Sequence, residues 1–303
     1  MQTKLRYLLL PTLLLLASCS GLLLRPGSDD TATTLPPGVR VIAGSIDSST
    51  GCRLDYRVYV PDGPNAQALA NGGAADHMDS QAEDLIVLAH GFLRSQTQME
   101  GLATSLAASG TRVATLDFCN ASPWDGRHAQ NGLDMVALAR HLDARRVVYA
   151  GFSAGGLAAV IAGRADPKGI GIVTLDLVET QGLGVRAAKG LDKPLLALAG
   201  EPTNCNALDN GRAVFAATDW ARVQRIKGAG HCDFESPTDG LCELVCTDPD
   251  AKRRTAAVDN GARPPEIAFG TSARERIIAS TKLAVASLLD GDLLAWPHPS
   301  KGL

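Results

Sequence analysis

The chain has 303 residues, enough for one large α/β core, with 45% apolar residues, as in ordinary globular proteins, and only 4% aromatics. A formal net charge of −3 without a basic tract argues against nucleic acid as a partner, and Lys252-Arg253-Arg254 reads as a solvated loop. Gly182-Leu183-Gly184 lacks the spacing of a phosphate loop and no His-Glu-x-x-His run occurs, so no cofactor and no catalytic metal are expected.

In chain order, Lys4 and Arg6 precede an apolar run from Leu8 to Leu16 that is too short to span a bilayer comfortably, and residues 1–18 read as an export signal. Leu16-Ala17-Ser18-Cys19 resembles the lipobox of bacterial lipoproteins. That resemblance implies cleavage before Cys19, acylation of its thiol and a lipid anchor in the cell envelope; Ser20 after the cysteine points to the outer membrane. Residues 19–38, with Thr, Pro and Ser, read as a flexible tether. The folded domain is expected over 39–292, with 293–303 as a tail. It should open with two antiparallel strands over 39–43 and 53–60, followed by a Gly-, Ala- and Asn-rich insertion over 62–83.

Asp84-Leu85-Ile86-Val87-Leu88-Ala89 is a buried-strand pattern that ends in His90-Gly91-Phe92. Arg146-Val147-Val148-Tyr149-Ala150 is a second one. It runs into Gly151-Phe152-Ser153-Ala154-Gly155-Gly156 and then into the small-residue helical run that begins at Leu157. Strand, G-x-S-x-G and helix in that order is the setting of a nucleophile elbow, in which a strained turn leaves the serine hydroxyl exposed above a sheet. Ser153 is therefore the candidate nucleophile. It needs a base, and it needs donors aimed at the oxyanion that forms. The backbone N–H groups of Phe92 and Ala154 are the expected donors, and His90 is expected to brace its loop. Further helices are expected over 98–108, 130–142, 157–164 and 272–289.

The base should follow the nucleophile and the acid along the chain. His231 fits, because it follows the strand-like run 221–226 and the turn Lys227-Gly228-Ala229-Gly230. For the acid, the run 170–175 delivers Asp176 and the run 193–200 delivers Glu201, with Asp209 further along. All three stay open on the residues alone; Asp176 lies one helix and one strand beyond the serine, where it would reach the imidazole from the adjacent strand end. From Cys232 to about 269 the chain reads as an irregular, cysteine-containing insertion beside His231. Seven cysteines less Cys19 leave six, the even number that disulfides in an oxidising compartment require. Cys205 and Cys232, each just after a neighbouring strand, are the expected pair, and the spacings are not those of zinc ligands.

The elbow, Val173-Thr174-Leu175-Asp176, and Gly228-Ala229-Gly230-His231-Cys232-Asp233-Phe234 together resemble the chlorophyllase and platelet-activating-factor acetylhydrolase branch of the α/β-hydrolases. His90-Gly91-Phe92 resembles their oxyanion loop. The resemblance implies an α/β-hydrolase fold, a mostly parallel central sheet with helices on both faces, and it favours Asp176 over Glu201. It implies cleavage of a small-molecule or lipid-like carboxylic ester through an acyl-serine intermediate. The alternatives are an acyltransferase on the same triad and a non-catalytic binding lipoprotein of the same fold.

Overall fold

Apolar runs of five or six residues with no alternation belong to strands covered on both faces, and such runs make the centre of this molecule. The computed structural model describes residues 38–62, 84–119, 126–246, 271–294 and 296. The expected export signal, Cys19, almost all of the tether and of the 62–83 insertion, the stretch 247–270 and most of the C-terminal tail lie outside the described residues.

Strand β1 (Val39–Asp47) pairs antiparallel with β2 (Arg53–Pro61), from Val39 opposite Pro61 to Asp47 opposite Arg53. The sheet continues with β3 (Asp84–Ala89), β4 (Arg112–Leu116), β5 (Arg146–Phe152), β6 (Gly169–Leu175), β7 (Leu195–Ala199) and β8 (Ala221–Arg225). Its order is β1-β2-β4-β3-β5-β6-β7-β8, with β2 antiparallel to β4 and every later pair parallel. Every residue of β3 and of β7 is buried.

The helices are α1 (Glu100–Ala107), α2 (His128–His141), α3 (Ala154–Ala165), α4 (Leu183–Ala188), α5 (Arg212–Phe215), α6 (Gly240–Cys246) and α7 (Ala273–Asp290). Alternation along β3 divides the core between the two faces of the sheet. Leu85 and Val87 pack with Met135 and Leu138 of α2 and Ala158 and Ala162 of α3. Ile86 and Leu88 pack with Leu102 and Leu106 of α1 and Ile277 and Leu288 of α7. From β3 the chain turns to β4 on one side, then crosses to β5 on the other. A parallel sheet opens a crevice at the carboxyl ends of its strands where the connections diverge in this way.

Both early strands and all four expected helices are present, with shifted ends. The first helix is entered through a 3₁₀ turn, Gln96–Met99, and α3 begins at Ala154 rather than Leu157. The five-residue β4 and the short α4 and α5 carried too little periodicity to be read. The stretch after Cys232 is also not irregular throughout, since it holds a 3₁₀ turn at His231–Phe234 and then α6.

Six cysteines form three disulfides, but not with the expected partner for Cys205. The pairs are Cys52–Cys119, Cys205–Cys246 and Cys232–Cys242. Helix α6 is the reason. It lies between the loops carrying Cys205 and Cys232 and presents Cys242 and Cys246, one turn apart, so that each loop bonds to the helix and not to the other loop. Cys232, Cys242 and Cys246 bring their sulfurs within 4.8 Å of one another, yet all three are consumed in disulfides and offer no thiolate to a metal.

Candidate active site

Ser153 sits between β5 and α3 with φ 54° and ψ −120°, a left-handed backbone conformation that a non-glycine residue adopts at a cost of about 1–3 kcal/mol. The turn closes because two neighbours lack side chains. A Cβ on Gly151 would run into the carbonyl of Gly155, and one on Gly155 would run into the carbonyls of Ala89 and His90. The start of α3 is thereby seated against the end of β3. The Ser153 N–H donates to the Leu175 carbonyl at 2.9 Å, which ties the elbow to the end of β6.

Asp176 follows β6 directly, also with positive φ (46°). His231 is delivered by the loop after β8. The structure brings the three together: Ser153 Oγ lies 3.2 Å from His231 Nε2, and His231 Nδ1 lies 2.6 Å from Asp176 Oδ2. All three are buried, and the Phe152 ring lies 4.6 Å from the His231 imidazole, centroid to centroid, filling the space beneath it. The other two candidate acids face elsewhere. Glu201 accepts the Gly228 N–H at 3.0 Å, and Asp209 is ion-paired with Arg225.

The His90 loop folds over the same point. His90 is 1% exposed; its Nδ1 donates to the Gly91 carbonyl at 2.7 Å and its Nε2 accepts the Phe118 N–H at 3.1 Å. Burial is the main cause that holds its pKa below the ordinary histidine value, so it is neutral, as its acceptor role at Nε2 requires. It braces the loop, as the sequence suggested. Phe92 and Ala154 line the same cleft as Ser153 and His231. Ala154 is the first residue of α3, so its N–H has no intrahelical partner.

Three supporting residues had no signal in the sequence. Asn206 is completely buried, and its side-chain amide donates to Asp176 Oδ1 and Oδ2 (3.2 Å each) and to the Glu201 carbonyl (2.8 Å). Its Oδ1 accepts the N–H groups of Thr203 and Asp209, and three successive left-handed residues, Ala207, Leu208 and Asp209, curl the loop to allow this. With the Gly200 N–H at 2.9 Å from Oδ1, the Asp176 carboxylate has donors on both oxygens. Arg94 and Glu235 form the second support. Arg94, two residues beyond Phe92, makes a two-pronged pair with fully buried Glu235 (2.6 and 2.8 Å) and reaches Asp239 at 2.9 Å. This pair holds the His90 loop against the segment that follows His231.

Asn206 donates to both oxygens of Asp176, the carboxylate in contact with the His231 imidazole, so its loss should be felt in turnover. Asn206→Ala is expected to lower kcat by about 10- to 100-fold, the equivalent of a hydrogen bond to a charged group, with KM little changed. Asn206→Asp should fall further, because it sets a second carboxylate against Asp176. Steady-state kinetics beside a melting curve checks this, and a loss of stability without a fall in kcat would deny the role.

No protein-family model matches the chain, and none of the curated proteins does. Solved structures do. A ferulic acid esterase from Streptomyces cinnamoneus is similar with TM-score 0.56 and 21% identity over 88% of this chain and 93% of that one. An acetyl xylan esterase from Paenibacillus sp. R4 is similar with TM-score 0.51 and 12% identity, over 73% and 84% of the two chains. A predicted CIB-like hydrolase from Thermoplasma acidophilum is similar with TM-score 0.51 and 16% identity, over 69% and 97% of the two chains. Together with the strand order and the elbow, these likenesses define the chain as an α/β-hydrolase fold.

Proposed function

We propose that the protein is a serine hydrolase that cleaves carboxylic esters through an acyl-Ser153 intermediate. The observation that carries the reading is the unbroken chain of contacts from Ser153 Oγ through His231 to Asp176 inside one cleft. His231 Nε2 takes the Ser153 proton as Oγ bonds to the ester carbon, and the carbonyl oxygen becomes an anion held by the Phe92 and Ala154 N–H groups. When that intermediate collapses, the bond to the alcohol breaks and His231 returns the proton to the leaving oxygen. A water, deprotonated by the same imidazole, then attacks the acyl-enzyme and frees the acid. Asp176 keeps Nδ1 protonated and stabilises the imidazolium throughout.

The names of two similar structures, both esterases, support an ester over other acyl compounds. The narrower motif likeness to the chlorophyllase and platelet-activating-factor acetylhydrolase branch supports Asp176 as the acid. A fluorophosphonate probe tests the reading: only an activated serine reacts, so labelling at Ser153 is expected, and an unlabelled folded protein would favour a binding role.

The lipobox-like Leu16-Ala17-Ser18-Cys19 supports an extracytoplasmic protein, anchored by acyl chains on Cys19 and facing away from the cytoplasm. Mass spectrometry of the mature N-terminus is expected to find acylated Cys19; an unmodified start at another residue would remove the anchor from the account.

A further inference from the structure

Helix α6 has an unusual distribution of side chains for its seven residues. Leu241, Leu244 and Val245 stand at i, i+3 and i+4 and so share one face, and they are 58%, 77% and 67% exposed. Cys242 and Cys246, on the other side, bond to Cys232 and Cys205. A third tie comes from Asp239, whose carboxylate accepts the Cys242 N–H at 3.0 Å and pairs with Arg94 of the His90 loop. Those donors, the Cys242 N–H first and Arg94 second, hold the Asp239 carboxyl below the usual carboxylate range.

The exposed stripe is continuous with the site. Leu241 and Val245 line the cleft that contains Ser153, and Leu93, 52% exposed, lines it from the His90 loop. Leu93 has φ 55°, so a leucine occupies a strained left-handed position there and is still left half in water. The cleft measures about 580 Å³, a size that holds a drug-sized ligand. A two-carbon acyl group on Ser153 would leave most of it to water, including the apolar stretch along Leu93, Leu241 and Val245, although Arg94, Glu179, Gln181 and Glu235 also line the cleft. Two disulfides and an ion pair also fix α6 where it stands, so it is a wall of the cleft and not a lid that must open.

We infer that α6 and Leu93 form a fixed apolar wall that binds an extended hydrocarbon chain of the substrate, and that the site is selective for esters carrying such a chain over acetate esters of small alcohols. This rests on the serine-hydrolase reading and adds the substrate class to it. The chain can lie on the acyl or the alcohol side of the scissile bond, and either side uses the same chemistry.

The test measures kcat/KM on two series, all below their solubility limits: p-nitrophenyl acetate, butyrate and octanoate, and the acetates of ethanol, butanol and octanol. Each buried methylene is worth about fourfold, so in at least one series the eight-carbon member should exceed the shortest by tenfold or more. The side of the bond is given by which series rises. In the double variant Leu241→Ser with Val245→Ser that ratio should collapse roughly tenfold, with no free thiols appearing. Val245→Thr, which keeps the side-chain shape, should lower it in the same direction and guards against misfolding of the double variant. Two flat series, or a ratio the variants leave unchanged, would overturn the wall. A wild-type protein that hydrolyses no ester in either series would instead sink the hydrolase reading itself.

Discussion

Ser153→Ala is expected to lower kcat on p-nitrophenyl esters by roughly 10⁴- to 10⁶-fold while leaving the fold in place. The size follows from what is removed. Without Oγ no acyl-enzyme forms, and His231, 3.2 Å away, is left with nothing to deprotonate except water. What remains is the contribution of the oxyanion donors proposed at Phe92 and Ala154 and of substrate binding, which is small but not zero. The backbone should tolerate the change, because alanine at φ 54° bears the same Cβ as serine and the Ser153 N–H to Leu175 bond does not involve the side chain. The Tm should therefore stay within a few degrees. Retention of more than about a tenth of wild-type kcat would place the chemistry elsewhere, and a large fall in Tm would make the kinetic loss uninformative about Oγ.

The second large effect separates the two strand-end carboxylates. Asp176→Asn is expected to cost on the order of 10³- to 10⁴-fold in kcat, because the amide can present its NH₂ to His231 Nδ1 and so favours the tautomer in which Nε2 carries the proton and cannot accept one from Ser153. The donors already around the position sharpen the effect: the Gly200 N–H and the Asn206 amide face the acceptor oxygens of a carboxylate and clash with an amide turned the wrong way. Glu201→Gln should change kcat only a few-fold, since its carboxylate contacts the Gly228 N–H and not the imidazole. Kinetics of the two variants side by side decide the assignment, and the reverse ranking would hand the role of acid to Glu201.

The lipid anchor at Cys19 remains a reading of the sequence, since it falls outside the described residues. Within the described residues, the chain itself determined what is written in short runs. The apolar stretches of β3, β5 and β7 suit a sheet covered on both faces, and Gly151-Phe152-Ser153-Ala154-Gly155 between a strand and a helical run suits a turn tight enough to need two missing side chains. Ser153, Asp176 and His231 were legible as candidates for the same reason, each standing at the end of a recognisable strand or glycine turn. Only the tertiary structure sets Asp176, and not Glu201 or Asp209, against the His231 imidazole, because that contact depends on which strand ends are neighbours and on where a loop carries its side chain. It alone placed Asn206 on Asp176 and Arg94 on Glu235, contacts made across 30 and 141 residues of chain. It also re-paired the cysteines, by setting a short helix between two loops expected to meet face to face. Periodicity reports how a segment buries its own side chains; which distant segment it meets is settled by packing, and no local pattern records it.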